Sequence, residues 1–194
     1  VFFLGLLSVS ISIFALGQQT AEDWLKNGSD LLDQGRYDEA LQAYDEAIRL
    51  DPNYAKAWSG KGSALGYLGE YDEAFQAYDE ATRLDPGRAG AWTGKGHALI
   101  AQGKYDEAIQ AYDEAIRQDS NYSDAWAQKG LTLLAMGKYD EAIKAYDEVI
   151  RLDPNNSSDA WAGKGHALAA LGKYDEADQA FDDPDNVEAW SSKG

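Results

Sequence analysis

From residue 21 onward the chain alternates two kinds of amphipathic stretch. One kind begins Tyr-Asp-Glu-Ala, at Tyr37, Tyr71, Tyr105, Tyr139 and Tyr174. In its first copy Tyr37, Ala40, Leu41, Tyr44, Ala47 and Ile48 fall at i, i+3, i+4, i+7, i+10 and i+11, which is one apolar stripe down a helix. The other kind starts near a tryptophan and carries a glycine four residues later, at Gly28, Gly62, Gly96, Gly130 and Gly165. A second glycine follows seven residues further on, at Gly35, Gly69, Gly103, Gly137 and Gly172. It predicts the end of a helix, because glycine reaches the left-handed conformation without steric penalty. Asp-Pro closes the first, second and fourth copies at Pro52, Pro86 and Pro154, and Ser120 replaces the proline in the third. Proline blocks further helix.

The pattern therefore predicts helix pairs, A then B. Trp24, Trp58, Trp92, Trp126, Trp161 and Trp190 are spaced by 34, 34, 34, 35 and 29 residues. A period of this size marks an array of supersecondary units. The predicted units are 21–54, 55–88, 89–122, 123–156 and 158–186, with a partial unit at 187–194. One extra residue falls near Ser157, and the fifth unit loses about five residues after Asp182, which cuts its helix B by more than a turn. Gly28 and Ala40, and their copies, are read as a small-on-small contact between the two helices of a unit.

The register of Trp24, Gly28, Leu31, Tyr37, Ala40, Tyr44, Ala47 and Pro52, repeated unit after unit, resembles the tetratricopeptide repeat (TPR) over residues 21–186. The resemblance implies an all-α, right-handed α-solenoid of antiparallel helix pairs. It also implies that helices A line a concave groove, and that residues 18–194 form a non-catalytic scaffold for a protein or peptide ligand. Groove candidates carried over from it are Ser59, Thr93, Ala127 and Ala162 after the tryptophans, and Ser63, His97, Leu131 and His166 four residues further on. Tyr67 and the glycines Gly60, Gly94 and Gly163 belong to the same surface. The Asn and Lys/Arg set with which some members grip a C-terminal carboxylate is mostly missing, so no carboxylate clamp is expected. Where the family has Leu three residues after the Trp, this chain has Asn27, Lys61, Lys95, Lys129 and Lys164. The lysines either reach an anionic ligand or pack their stems and meet a neighbouring carboxylate. Val149 stands where alanine is usual.

The first 20 residues carry no charge, and residues 1–16 are almost wholly apolar. That run is short of the roughly 20 residues a spanning helix needs. It fits the apolar core of a signal peptide, with Ala15 and Gly17 as small residues before a cleavage point at Gln18. A retained membrane anchor over residues 1–17 is a second reading. A third is an assembly strand, since residues 8–13 alternate serine with an apolar residue. All three place the remainder outside the cytoplasm.

Charge narrows the function classes. The chain has 17 basic and 34 acidic side chains, net −17, and no cysteine. Disulfide and thiolate chemistry is thereby excluded, and nucleic acid is not expected as a partner. The acids at the start of each helix B complement its dipole. The second acid pairs, such as Asp45 and Glu46, precede Arg49, Arg83, Arg117 and Arg151 by three or four residues, a spacing worth ~0.2–0.5 kcal/mol per intrahelical pair. His97 and His166 lie two units apart without a third ligand nearby in sequence, so no metal site is expected, and no nucleophile–base pair or cofactor fingerprint is present. Asn-X-Ser sequons at Asn121, Asn155 and Asn156 fall in turns and are candidate glycan acceptors in an exported chain, while Asn27 sits on a helix. A second role is compatible with the repeat: copies with matching end surfaces stacking head to tail into an extracellular filament or oligomer.

Overall fold

The computed structural model describes residues 19–154 and 157–182. What was read from residues 1–17, from Asn155 and Asn156, from Trp190 and from the partial unit 187–194 lies outside the described residues. Within them the chain forms ten helices and no strand. The first helices of the units are α1 (Ala21–Asp33), α3 (Ala55–Leu68), α5 (Ala89–Ala101), α7 (Ser123–Ala135) and α9 (Ser158–Ala170). The second helices are α2 (Tyr37–Leu50), α4 (Tyr71–Leu84), α6 (Tyr105–Gln118), α8 (Tyr139–Leu152) and α10 (Tyr174–Phe181). None of the ten is long and apolar enough to cross a membrane. The shortening of the fifth unit is direct: α10 has 8 residues where α8 has 14.

Each helix packs on its neighbours in sequence, and α1, α3, α5, α7 and α9 also touch one another in turn. Second helices make no comparable contact with each other among the described residues. The units are therefore closer together on the side of the first helices, and that side is the inside of the curve.

Local chemistry sets the helix ends. Thr20 and Asp23 form a reciprocal cap on α1: the Asp23 amide donates to Thr20 Oγ1 at 3.1 Å, and the Thr20 amide donates to Asp23 Oδ2 at 2.9 Å. Those bonds hold the Asp23 carboxyl below its ordinary pKa. Each first helix stops at a glycine with φ between 72° and 81°. The next amide, on Arg36, Glu70, Lys104, Lys138 or Lys173, donates to the carbonyl of Leu31, Leu65, Leu99, Leu133 or Leu168. This is the six-to-one closure that satisfies a helix's last carbonyls, and the same five leucines are buried.

The core sets an aromatic ring beside the small residues of each pair. Ala40, Ala74, Ala108 and Ala142 are fully buried, but the space beside Gly28 is filled by a ring. A Cβ added at Gly28 would stand 2.7 Å from Tyr44, at Gly62 2.9 Å from Tyr78 and at Gly130 2.9 Å from Tyr146. The glycine two residues after the next tryptophan meets the same ring from the other side: Gly60 against Tyr44, Gly94 against Tyr78, Gly163 against Tyr146. These three glycines, expected in the groove, receive the tyrosine of the preceding unit, and Gly94 lines an inner-face cavity as well. A ring pinned between two backbones joins units that hydrogen bonding alone would leave weakly connected. The third unit departs from this: Gly96 meets Tyr112, but Gln128 replaces the second glycine.

The turn and surface contacts are equally periodic. Trp58 and Trp92 donate from Nε1 to the carbonyls of Pro52 and Pro86 at 2.9 Å, and Trp126 donates to that of Ser120 at 3.2 Å. Only the carbonyl is used, which explains why serine can replace proline there. The lysine ladder follows the packing reading. Lys61, Lys95, Lys129 and Lys164 each reach an aspartate of the preceding second helix, Asp45, Asp79, Asp113 or Asp147, at 2.6 Å. Each ammonium also lies 5.0–5.6 Å from the ring centre of its own helix's tryptophan. The second acid pairs thus divide their work. The aspartate bridges units, while Glu46, Glu80, Glu114 and Glu148 take the intrahelical arginines.

Burial raises the pKa of the Tyr44, Tyr78, Tyr112 and Tyr146 hydroxyls, that of Tyr146 to about 12. A phenol whose folded pKa lies above its unfolded value of 10 releases its proton more easily on unfolding. Stability is therefore intact below about pH 10 and falls as pH rises from there toward 12. In an alkaline titration, tyrosinate absorbance from these rings should appear together with loss of helical circular dichroism. Full ionisation with helicity intact would contradict their burial.

Candidate functional site

The inner face carries two cavities that share His97. The first, about 540 Å³, is walled by Ser63 and Tyr67 of α3, Tyr71 and Tyr78 of α4, Thr93 and His97 of α5, and Tyr122 and Asp124 at the start of α7. The second, about 310 Å³, continues past His97 to Tyr105, Tyr112, Leu131 and Thr132. Together they make one groove across three units, walled mostly by the first helices α3, α5 and α7.

Its chemistry is aromatic and lightly polar. Tyr67 is 65% exposed and stacks face to face on Tyr37 of the first unit, with ring centres 4.7 Å apart. Tyr71, Tyr105 and Leu131 are exposed as well, Leu131 to 57%. Tyr122 is half-buried, and its hydroxyl pKa is raised by burial and by the charges of Asp124 and Asp119. Asp124 accepts a hydrogen bond from Gln128 Nε2 at 3.3 Å. Among the described residues, no lysine or arginine lines either cavity. The cavities on the opposite side of the helices hold Lys61, Lys95 and Lys104 amid Asp45, Glu73, Asp79, Glu107 and Asp113.

The tetratricopeptide repeat pattern matches in three forms. One covers residues 25–89 and 61–123, a second 123–156 and a third 145–179. The chain belongs to the tetratricopeptide repeat family.

Solved TPR structures superpose along most of its length. A MamA protein is 27% identical, over 90% of this chain and 94% of that one, with a TM-score of 0.75. YrrB, described as a TPR protein with an unusual peptide-binding site, is 24% identical over 96% of both chains, with a TM-score of 0.71. PilF of Pseudomonas aeruginosa is 24% identical over 90% of this chain and 76% of that one, with a TM-score of 0.77. At these identities YrrB and PilF speak for the fold. No curated protein sequence matches the chain.

The groove candidates read from the TPR register separate in the structure. Ser63, Tyr67, Thr93 and His97 are gathered in the first cavity, and Leu131 joins His97 in the second. Thr93 is nevertheless only 2% exposed, with its hydroxyl donating to the Ala89 carbonyl at 3.2 Å, so it offers little surface to a ligand. Ser63 is committed to the Tyr78 hydroxyl at 2.9 Å. Ser59, Ala127 and Ala162 are half-buried and line neither cavity. His166 is exposed beyond both and lies edge-on to Phe181, with ring centres 5.3 Å apart, as His97 does to Tyr112 at 6.0 Å. Asn121 is exposed in its turn, where its amide donates to Asp119 Oδ1 at 3.0 Å.

Among the wall residues that escaped the sequence reading are Tyr71, Tyr105, Tyr122 and Asp124. Tyr71 and Tyr105 were assigned to the core stripe of the second helix, yet both are more than 40% exposed on the groove rim. The first residue of a stripe lies at the helix end, where packing on one side is already lost. Tyr122 and Asp124 come from the turn before α7 and its first residues. Such turn residues carry no helical period, so their arrival in the groove needs the packing of three units.

Proposed function

We propose that this TPR chain is a protein-interaction scaffold that binds a peptide segment in the groove of α3, α5 and α7. The observation that carries this reading is the continuous inner surface on which Tyr67, Tyr71, His97, Tyr105 and Leu131 stand exposed side by side. Large apolar groups gathered on one concave surface are characteristic of recognition sites. A segment lying there would cover ring faces without chemistry, consistent with a role in assembly rather than turnover. YrrB's described peptide-binding site supports the choice of ligand class by analogy of fold.

The test uses the 194-residue chain as bait for phage-displayed random dodecapeptides, followed by affinity measurements on the selected sequences as synthetic peptides. Leu131→Glu puts a charge in the second cavity of the groove at a site exposed enough to leave the fold intact. It should weaken the selected peptides at least tenfold while helical circular dichroism is unchanged. Peptides that bind the variant and the parent equally would place recognition elsewhere on the solenoid.

A further inference from the structure

Resting on the reading that the inner groove binds a peptide, we propose that its ligand is a basic segment. A lysine or arginine of that segment enters the cavity between Tyr67, Tyr71 and Tyr122 and pairs with Asp124.

Charge complementarity is the first support. The four lysines of the first helices that might have made the groove cationic are turned away from it and held by Asp45, Asp79, Asp113 and Asp147. What remains in the first cavity is one carboxylate, Asp124, with no cation against it among the described residues. An anionic ligand would meet that carboxylate and find nothing to neutralise its own charge. A wholly apolar ligand would seal Asp124 and the Tyr122 hydroxyl away from water without a partner, which is unfavourable.

The rings supply the second support. A cation over the face of a tyrosine is attracted by the ring's quadrupole, and this cavity offers three exposed or half-exposed phenols around one acid. The protein already uses that chemistry on its other side, where Lys95 lies 5.1 Å from the ring centres of both Phe75 and Trp92 while pairing with Asp79. The inner cavity has the aromatic walls and the acid, and the ligand brings the cation. The net charge of −17 adds a long-range field that favours the approach of basic segments.

That field is also the chief confounder, because any polycation will be drawn to this surface. The experiment therefore compares two neutralisations. The peptides selected above are measured at 150 mM salt, where exposed charges beyond about 8 Å are screened. The parent, Asp124→Asn and Glu73→Gln are used, Glu73 lying on the opposite side of the helices. Each peptide is also made with its lysine acetylated or its arginine replaced by citrulline. The expected result is a selected set that shares a basic residue, about tenfold weaker binding to Asp124→Asn, no change with Glu73→Gln, and no further loss when the neutralised peptide meets Asp124→Asn. Equal losses with both variants would reduce the effect to general attraction and overturn the proposal. Peptides that lack basic residues yet lose affinity with Leu131→Glu would overturn it too, and leave the groove reading standing. Peptides insensitive to Leu131→Glu would remove both.

Discussion

Replacing Tyr112 with alanine should cost about 3–5 kcal/mol, the range for removing a buried aromatic ring, and should divide the solenoid in two. Tyr112 is 1% exposed, rests on Gly96 of its own unit and shares a cavity wall with Gln128, Leu131 and Thr132 of the fourth. The junction between the third and fourth units is packed more sparsely than the other described ones. Gln128 stands where the other units present a glycine to the ring. Helix α6 packs less extensively on α7 than any other second helix on the first helix that follows it, and the cavity of about 310 Å³ opens beside it. An array of repeats holds together through its nearest-neighbour interfaces, so weakening one uncouples the segments on either side. Urea unfolding should show an earlier first transition, and its slope should fall because each segment exposes less surface than the whole. A single transition of unchanged slope, moved by less than 1 kcal/mol, would mean that the ring is not the joint between these units.

The same substitution in two neighbouring helices should have opposite signs. Gly94→Ala should destabilise the chain by about 1–3 kcal/mol, the usual cost of overpacking, because the new methyl overlaps the Tyr78 ring. Tyr78 cannot withdraw. Its other side rests on Gly62, its hydroxyl is held by Ser63, and it is only 8% exposed. Gly66→Ala meets nothing within 4 Å and should stabilise helix α3 by about 0.5–1 kcal/mol through propensity alone. Thermal melts of the two variants beside the parent decide it: two shifts in the same direction would refute the account of Gly94 as a socket for the ring.

The periodic features were open to sequence reading because each rests on a single helix. The stripe through Ala40, Tyr44 and Ala47, the stops at Gly35 and its copies, and the shortened α10 all follow from spacing along one element. The lysine ladder was half legible. Its spacing left two readings open, and the contacts with Asp45 and its copies select the one in which the stems pack. What spacing could not show is which atoms meet between elements. Gly60 and Gly94 occupy positions that the register assigns to the groove, yet a ring sixteen residues earlier in the chain reaches them. In the sequence Asp124 is one acid among 34. It gains its setting only when Tyr67, Tyr71 and Tyr122 arrive from the two preceding units.

The tyrosine seated between two glycines also sets the rules for exchanging units. Half of each socket belongs to the unit that owns the ring and half to the unit that follows. A cassette cut at the Asp-Pro turn therefore carries a ring away from one of its walls and must find an equivalent wall in its new neighbour. The second unit could be grafted before any unit that opens with Gly60, Gly94 or Gly163. Placed before the fourth unit, its Tyr78 would meet the side chain of Gln128 instead. Shuffled arrays of this protein should accept some orders and refuse others, with the residue two places after the tryptophan acting as the compatibility code.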